Sequence, residues 1–335
     1  MSDFKDPAPG RLRLVDRIYL AYFGLNSLLL LHPNRPDNWL PTLVLHLCYL
    51  AGIPLLVRFS RKHPVLTFVR DWYPILGITF MYGELQFLNQ VLRSGYHDDL
   101  VMKWEMALFG RQMATDFRAM LPSKLLGEAL HLGYFCYYLT LPALFIPLWL
   151  MKRYRDFRIS MGVVGATYIF CYLWYVYFPV TGPFWQFPKP DAETQGWLFP
   201  QLTYSIVSAG SSRGSAFPSS HIAASIAVLA MARHYYRPAY WFLLLPVLLL
   251  TVGTVYGGFH YAVDSLAGLA IGLLCYAFGR RLVERIDGRA LGAPPVGAPG
   301  VPGVAPLGAA PHALTGAAAG TVSGGRVEAR ASSER

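Results

Sequence analysis

The sequence predicts an all-α fold, a polytopic bundle of about eight membrane helices with one further helix at the membrane interface. Composition is the first reason: 54% of the 335 residues are hydrophobic and only 14% are charged, where soluble domains carry about 25% charged residues. The second reason is that the hydrophobic residues form long uncharged runs. Most runs are near the ~20 residues that an α-helix needs to cross a bilayer.

Eight apolar runs mark the predicted spans in chain order. They cover residues 15–32, 41–58, 72–92, 127–151, 159–178, 219–235, 238–257 and 262–280. Between the third and fourth runs, residues 96–124 combine apolar side chains such as Leu100 and Trp104 with charges such as Lys103 and Arg118. This mixture is typical of a helix that lies in the interface and does not span it.

Basic residues predict the orientation, because cytoplasmic loops of membrane proteins are enriched in Lys and Arg. With the N-terminus inside, residues 1–17, 58–70, 152–158, 233–237 and 280–335 face the cytoplasm and hold 21 of the 29 basic residues. Both termini are therefore predicted to be cytoplasmic. The net charge of +10 is assigned to these loops and not to nucleic-acid binding.

Composition also divides the chain into a membrane-embedded domain, residues 1–290, and a tail, residues 291–335. The tail is rich in Gly, Ala, Pro and Val, and no aromatic residue follows Phe278. Such a segment lacks the side chains to pack a core, so it is predicted to be disordered.

Two short segments at the starts of the sixth and eighth predicted helices carry the residues suited to chemistry. Residues 217–221 read Phe-Pro-Ser-Ser-His, and residues 258–264 read Gly-Phe-His-Tyr-Ala-Val-Asp. The chain descends through the sixth helix and returns through the seventh, so both segments lie on the extracytoplasmic side. His221 and His260 can therefore meet, although 39 residues separate them in the sequence.

Asp264 follows His260 by four residues, and on a helix such a pair shares one face. A carboxylate there holds the imidazole in one tautomer, which makes His260 a candidate nitrogen nucleophile for phosphorus. His221 is then the candidate general acid for the departing oxygen. A plainer interpretation remains open, in which His260 and Asp264 are a structural pair that stabilises the start of a helix.

Candidate phosphate ligands surround these three residues. Ser219 and Ser220 stand where a helix N-terminus presents backbone N–H groups, although Ser219 can equally be a simple helix cap. Arg213, in the preceding Gly- and Ser-rich loop, is suited to a two-pronged contact with phosphate oxygens. It is preferred to the other basic residues of the outer side because six of them precede the catalytic half of the chain. Lys189 and Tyr256 are possible substrate contacts, and Tyr256 is as well explained as a core residue.

The two segments resemble motifs of the type-2 phosphatidic acid phosphatase superfamily. The second motif of that family reads Pro-Ser-Gly-His, and Pro218-Ser219-Ser220-His221 matches it with Ser220 in place of Gly. The third ends in a His and an Asp four residues apart, as His260 and Asp264 are. The resemblance covers about residues 160–280 and implies a six-helix core, with His260 as nucleophile, Asp264 as its partner and His221 as general acid.

The departures from the family pattern are as informative as the matches. The Ser-Arg of the third motif is Gly253-Thr254 here, and the first motif, with its Lys and Arg, is absent. A Pro-rich turn, residues 177–183, stands in its place. These features look like the branch of inositol phosphorylceramide synthases and their bacterial relatives, which implies phosphotransfer between lipids and not simple hydrolysis.

The leading hypothesis is thus a metal-independent lipid phosphatase or phosphotransferase without a cofactor. Its substrate would be a lipid phosphate or phospholipid taken from the membrane, with a lipid or alcohol as possible acceptor. A lipid or solute transporter is the non-enzymatic alternative, in which Glu84 in the third helix lines a pathway; Glu84 can equally be an interhelical hydrogen-bond partner. A serine hydrolase using Ser219 or Ser220 is a third hypothesis, but no Gly-x-Ser-x-Gly turn surrounds them.

The predicted orientation can be tested by cysteine labelling. In a cysteine-free background, single cysteines at Gly196 and at Lys62 should react oppositely with a membrane-impermeant thiol reagent, position 196 from outside and position 62 only after permeabilisation. The reason is the 21-to-8 distribution of basic residues between the two sides. Labelling of both positions from outside, or of position 62 alone, would contradict the topology.

Overall fold

The computed structural model describes residues 10–60, 63–189 and 196–288, and their regular structure is helical. The first half contains α1 (Leu14–Leu29), α2 (Trp39–Phe59), α3 (Pro64–Leu88), α4 (Asp98–Phe109), α5 (Met113–Met120), α6 (Lys124–Phe135) and α7 (Tyr137–Leu150). The second half contains α8 (Tyr154–Tyr177), α9 (Pro183–Gln186), α10 (Phe199–Gly210), α11 (Ser220–Tyr235), α12 (Arg237–Tyr256), α13 (Ala262–Leu274), a π-helical turn (Cys275–Gly279) and α14 (Arg280–Asp287). The predicted tail, residues 291–335, lies outside the described residues.

Several helices are long and apolar enough to cross a membrane, which supports the predicted all-α membrane fold. Four qualify by length and composition within the described ranges: α2, α8, α12 and the continuous helical stretch Ala262–Asp287. Helices α6 and α7, which meet at a bend of 41°, form a fifth candidate if they act as one span. Helices α1 and α11 have only 16 residues each, and the predicted span in α3 is more polar, so the count of eight stays a prediction.

The predicted interfacial segment, residues 96–124, is not one helix. Helix α4 ends at Gly110, whose φ of +69° reverses the backbone, and the short α5 follows before α6 begins. The faces of α4 are also unexpected. Its buried face, at spacings of three and four residues, consists of Asp98, Val101 and Glu105, whereas its apolar residues Leu100, Trp104 and Leu108 are exposed. Helix α4 therefore turns its acidic side toward the protein.

Buried ion pairs tie together the starts of α1, α3 and α8, at the end predicted to be cytoplasmic. Asp71 accepts hydrogen bonds from Arg13 and from Arg158, whose Nη2 lies 2.9 Å from Asp71 Oδ2. Asp16 is paired with Arg70 at 3.1 Å. Because a buried charge must have an opposite partner, these pairs fix the relative positions of three helices at one end of the bundle.

A second set of buried polar side chains surrounds Glu84. Its carboxylate accepts a hydrogen bond from the Tyr22 hydroxyl at 3.1 Å and lies 2.7 Å from Nε2 of His46, whose Nδ1 lies 3.1 Å from Ser27 Oγ. Glu84 is therefore an interhelical hydrogen-bond partner between α1, α2 and α3. This is the structural alternative to a transport pathway.

Close packing of α11 on α13 brings the two sequence segments together. A Cβ at Gly268 would lie 2.5 Å from the Ser219 carbonyl oxygen, and one at Gly272 would lie 2.5 Å from the Ala223 carbonyl oxygen. Two glycines four residues apart thus let the helix backbones touch, as is common between membrane helices. The starts of α11 and α13 therefore lie side by side.

The structure also bears on the labelling experiment, because position 196 does not tolerate a side chain. Gly196 has a φ of +128°, and an added Cβ would lie 2.9 Å from Glu128 Oε1. Ala209 of α10 is exposed and is the better outer position for the cysteine. Lys62 lies outside the described residues.

Candidate active site

His221, His260 and Asp264 come together where α11 and α13 begin. His221 is in the first turn of α11, and His260 is in the turn between α12 and α13; their ring centroids are 6.0 Å apart. Nδ1 of His260 lies 3.4 Å from Oδ2 of Asp264. In phosphoryl transfer, the nucleophile and the general acid each lie about 3 Å from the phosphoryl group that stands between them. The separation of the two imidazole rings is of this order.

Asp264 has two tasks in this arrangement. Its Oδ2 accepts the backbone N–H of Tyr261 at 2.8 Å, which caps α13, and the same oxygen faces His260. Its Oδ1 is buried and has no hydrogen-bond partner among the described residues. The 3.4 Å contact is long for a hydrogen bond, and such catalytic contacts often shorten only when substrate is bound.

Burial determines the protonation of His260. The residue is only 4% exposed, and this burial lowers the pKa of His260 to about 4, a shift that the backbone of Ala216 opposes. The imidazole is therefore neutral at physiological pH and keeps a lone pair. A neutral ring is what a nitrogen nucleophile requires.

The start of α11 is held by hydrogen bonds, which changes the role expected of its backbone. Tyr175 of α8 donates its hydroxyl hydrogen to the Pro218 carbonyl at 2.6 Å and accepts the N–H of Ser220 at 2.9 Å. The N–H of Ser219 is donated to the Asp264 carbonyl, and Ser219 Oγ faces the N–H of Ile222 at 3.5 Å. The backbone N–H groups of Ser219 and Ser220, expected to face phosphate, are thus used within the protein.

Arg213 is anchored beside the site by its backbone and exposed at its head. Its carbonyl accepts a hydrogen bond from the Asn89 side chain at 2.7 Å, and its guanidinium stacks on Tyr96 and Trp185 at 5.3 and 5.7 Å from the ring centroids. The loop that follows is tied to the turn after α8, because the N–H of Ala216 is donated to the Val180 carbonyl at 2.9 Å. Ala216, whose backbone contacts His260, is thus only three residues after Arg213.

Lys189 and Tyr256 lie in other surroundings than the histidines. Lys189 is exposed, with its Nζ 4.7 Å from the Phe184 ring centroid. Tyr256 is only 1% exposed, and its hydroxyl is donated to the Leu121 carbonyl at 3.0 Å. Tyr256 is therefore a core residue in this structure.

Two carboxylates of α4 position the site, and the sequence interpretation missed both. Asp98 accepts the N–H groups of Thr181 and Gly182, each at 2.9 Å. Glu105 accepts the N–H groups of Ala262 at 3.1 Å and Val263 at 3.0 Å, and so caps the helix that carries Asp264. Their spacing of seven residues on one helix face was the available signal, because acids there cannot face the lipid.

An apolar groove about 450 Å³ in volume leads to the site between α3 and α7. Ser220 and His221 lie at one end, next to Tyr82 and Tyr137, whose ring centroid is 4.4 Å from that of His221. Ile75, Thr79, Leu141, Pro142 and Ile146 line the rest. From Trp72 to Tyr82 the groove follows ten residues of α3, or ~15 Å of helix. His221 is therefore the histidine that the groove reaches.

The described residues contain no group of three or more His, Cys, Asp or Glu side chains that could hold a metal ion. The side chains that meet at the site are a neutral buried imidazole, a second imidazole beside it and a carboxylate behind the first. This set is suited to nucleophilic attack followed by proton transfer.

A comparison with protein families finds a match. The family profile described as PAP2 superfamily matches residues 100–278, which include most of α4 and both histidine segments. A search of the curated proteins finds no match, and a search of the solved structures finds none either.

Replacing Glu105 by Gln should weaken both the fold and the site. An amide has one acceptor atom instead of two, so at least one of the N–H groups of Ala262, Val263 or Met113 loses its partner, at about 1–3 kcal/mol. We expect a lower melting temperature in detergent and a lower kcat. Asp99→Asn, at an exposed acid of the same helix, is the matched control. Equal behaviour of the two variants would contradict the positioning role of Glu105.

Proposed function

This chain belongs to the PAP2 superfamily, whose members are generally phosphatases, and we propose that it is a membrane lipid phosphatase or phosphotransferase. The proposed reaction passes through a phospho-histidine on His260. The observation that carries the proposal is the juxtaposition of His221, His260 and Asp264, with ring centroids of the two histidines 6.0 Å apart.

In the first half of the reaction, a nitrogen of His260 attacks phosphorus. The N–P bond forms as the bond from phosphorus to the leaving oxygen breaks, and His221, in its protonated form, gives its proton to that oxygen. Asp264 stabilises the positive charge that develops on the His260 ring. In the second half, His221 takes a proton from water or from an acceptor hydroxyl, whose oxygen attacks phosphorus and releases His260.

Arg213 is proposed to contribute positive charge to the transferred phosphoryl group. Transfer of a phosphoryl group depends on fixed charge around its oxygens, and the basic residues of the family motifs are missing here. The stacking of the guanidinium on Tyr96 and Trp185 supports the proposal, because it restricts the side chain before substrate arrives. Kinetics of Arg213→Ala within about threefold of wild type, where the loss of one strong donor costs about 10²–10³-fold, would contradict it.

The groove between α3 and α7 supports a lipid as the substrate. Its wall is largely apolar, and its length along α3 is ~15 Å, which is about half of the ~30 Å hydrocarbon core. The acyl chain of a lipid in one leaflet could lie along the groove while the phosphate of the same lipid reaches His221. Pockets that bind small molecules combine an apolar lining with a few placed polar groups in the same way.

The finer features of the proposal rest on the sequence. The predicted eight spans and the excess of basic residues on one side put the site on the extracytoplasmic face and both termini in the cytoplasm. The Pro-rich turn at residues 177–183 and the missing motif arginine favour an inositol phosphorylceramide synthase-like branch. In that case the acceptor is a lipid alcohol and the net reaction is transfer.

Replacing His260 by Ala should abolish turnover of a lipid phosphate, because no other described group can take over as nucleophile; a loss on the order of 10⁴-fold or more is expected. His221→Ala should cost about 10²–10⁴-fold with an alkyl leaving group. It should cost less with p-nitrophenyl phosphate, whose leaving group needs no proton. Phosphate release from purified protein in detergent is the measurement, with His32→Ala as control. Wild-type rates in His260→Ala, or full dependence on an added divalent metal, would end the hypothesis.

The groove gives a separate prediction about chain length. Thr79→Trp places an indole in the groove and should raise KM for a long-chain phosphatidate about tenfold. The indole would keep about two methylene groups of the acyl chain out of the groove, and each contributes about 0.8 kcal/mol when buried. Their sum corresponds to roughly a tenfold change in KM. The kcat and the KM for a short-chain, water-soluble phosphate ester should change little. Leu76→Trp is the control, because Leu76 is 70% exposed on the same helix but outside the groove. Equal effects of the two variants would show that the groove does not hold the chain.

A further inference from the structure

A second cavity lies beside the site, on the other side of the turn that carries His260. Its volume is about 360 Å³, within the range of small-molecule pockets, about 300–1,000 Å³. Helix α5, the segment around α9, helix α10 and the turn after α12 form its wall. The polar or chemically suited residues of the wall are Thr115, Arg118, Lys189 and Tyr204, with the backbone of Gly257 and Gly258.

Arg118 is a buried cation in this wall, and no acidic partner for it is found among the described residues. It is 7% exposed, and its Nη2 is donated to the Tyr256 carbonyl at 2.7 Å and faces the Tyr204 hydroxyl at 3.4 Å. Its Nε and Nη1 are buried and have no hydrogen-bond partner among the described residues. No Asp or Glu is among the residues that line the cavity.

A guanidinium in such a place is costly for the protein. Removing a charge from water without an opposite charge costs several kcal/mol, and protein arginines do not lose their proton to escape it. Other buried arginines in this chain have their acids, as Arg158 has Asp71. An anion bound from outside the protein would neutralise Arg118 and give its free N–H groups an acceptor.

Lys189 provides a second positive charge at the same cavity. Its Nζ lies 4.7 Å from the Phe184 ring centroid and 3.4 Å from Ser208 Oγ, so the lysine side chain lies along the cavity wall. One fork-shaped and one point-like cation around an opening of this size suit the several oxygens of a phosphate group.

The cavity is linked to the catalytic turn and is distinct from the apolar groove. The hydroxyl of Tyr204 is donated to the Gly257 carbonyl at 2.6 Å, three residues before His260. The ring centroid of Phe259 lies 5.0 Å from that of Tyr204 on the cavity side. It lies 4.6 Å from that of Tyr134 on the side of His221. Aromatic rings thus stand between Arg118 and His221.

We propose that this cavity binds the phosphate group of a small polar molecule or of a lipid head group, through the guanidinium of Arg118 and the ammonium of Lys189. The bound anion neutralises Arg118 and supports the turn, residues 256–260, that carries the nucleophile. The proposed binding of an anion is inferred from the cavity alone. The role of that anion next to a reacting phosphate rests on the proposed function.

The test measures binding without turnover, in the full-length His260→Ala protein. In one arm, inorganic phosphate is titrated by calorimetry into nanodiscs of zwitterionic phosphatidylcholine. In the other arm, the melting temperature is followed as phosphatidate replaces part of that lipid. Arg118→Gln should weaken binding at least tenfold in one arm or in both, and the affected arm identifies a free phosphate or a head group as the source. Arg111→Gln is the matched control, because Arg111 is an exposed arginine just before α5, the helix of Arg118, and does not line the cavity.

Unchanged affinity of Arg118→Gln in both arms would overturn the proposal, as would an equal loss in Arg111→Gln or the absence of binding in both arms. If Arg118→Gln does not fold, Ala119→Phe decides, since it adds bulk at the cavity wall and leaves the guanidinium in place; it should weaken binding by a similar factor. Turnover of the protein with native His260 separately judges the proposed function. Failure of either proposal therefore leaves the other intact.

Discussion

Backbone N–H groups at helix starts must find acceptors, and in this protein buried or anchored carboxylates provide them. Asp98 accepts two N–H groups of the turn after α8, and Glu105 accepts those of the first turn of α13. Glu128 accepts the N–H groups of Trp197, Leu198 and Phe199 at the start of α10. Without water, each unpaired N–H would cost about 1–3 kcal/mol. These three acids thus fix the turn after α8, the start of α10 and the start of α13, which is the helix that carries Asp264.

The same constraint explains how a reactive histidine can be held among apolar side chains. His260 is buried and neutral, so it needs no counter-ion in the resting state, and Asp264 lies close enough to stabilise the charge that appears only during reaction. Tyr175 fixes the start of α11 by donating to Pro218 and accepting from Ser220. The site is therefore held by hydrogen bonds at its two helix starts, and the apolar groove reaches His221, the less enclosed of the two histidines.

Local patterns in the sequence predict the all-helical fold and single out His221, His260 and Asp264, which the structure brings together, since four-residue spacing and helix starts are local features. Long-range contacts are not readable in this way. Glu105 reaches Val263 across 158 positions and Arg118 reaches Tyr256 across 138, so position along the chain does not reveal these contacts. The pair Gly268 and Gly272, four residues apart in an apolar run, was a readable sign that two helices touch.

Helix α4 connects the site to the lipid in a further way. Its exposed side carries Leu100, Trp104 and Leu108, while its buried side holds the turn after α8 through Asp98 and the start of α13 through Glu105. Such a helix takes its depth from the boundary between head groups and acyl chains. In the proposed enzyme, the two histidines would therefore lie at a depth set by the membrane surface and not by its midplane. Lateral pressure and curvature of the leaflet would then affect the proposed reaction, and its rate would differ between tightly and loosely packed membranes.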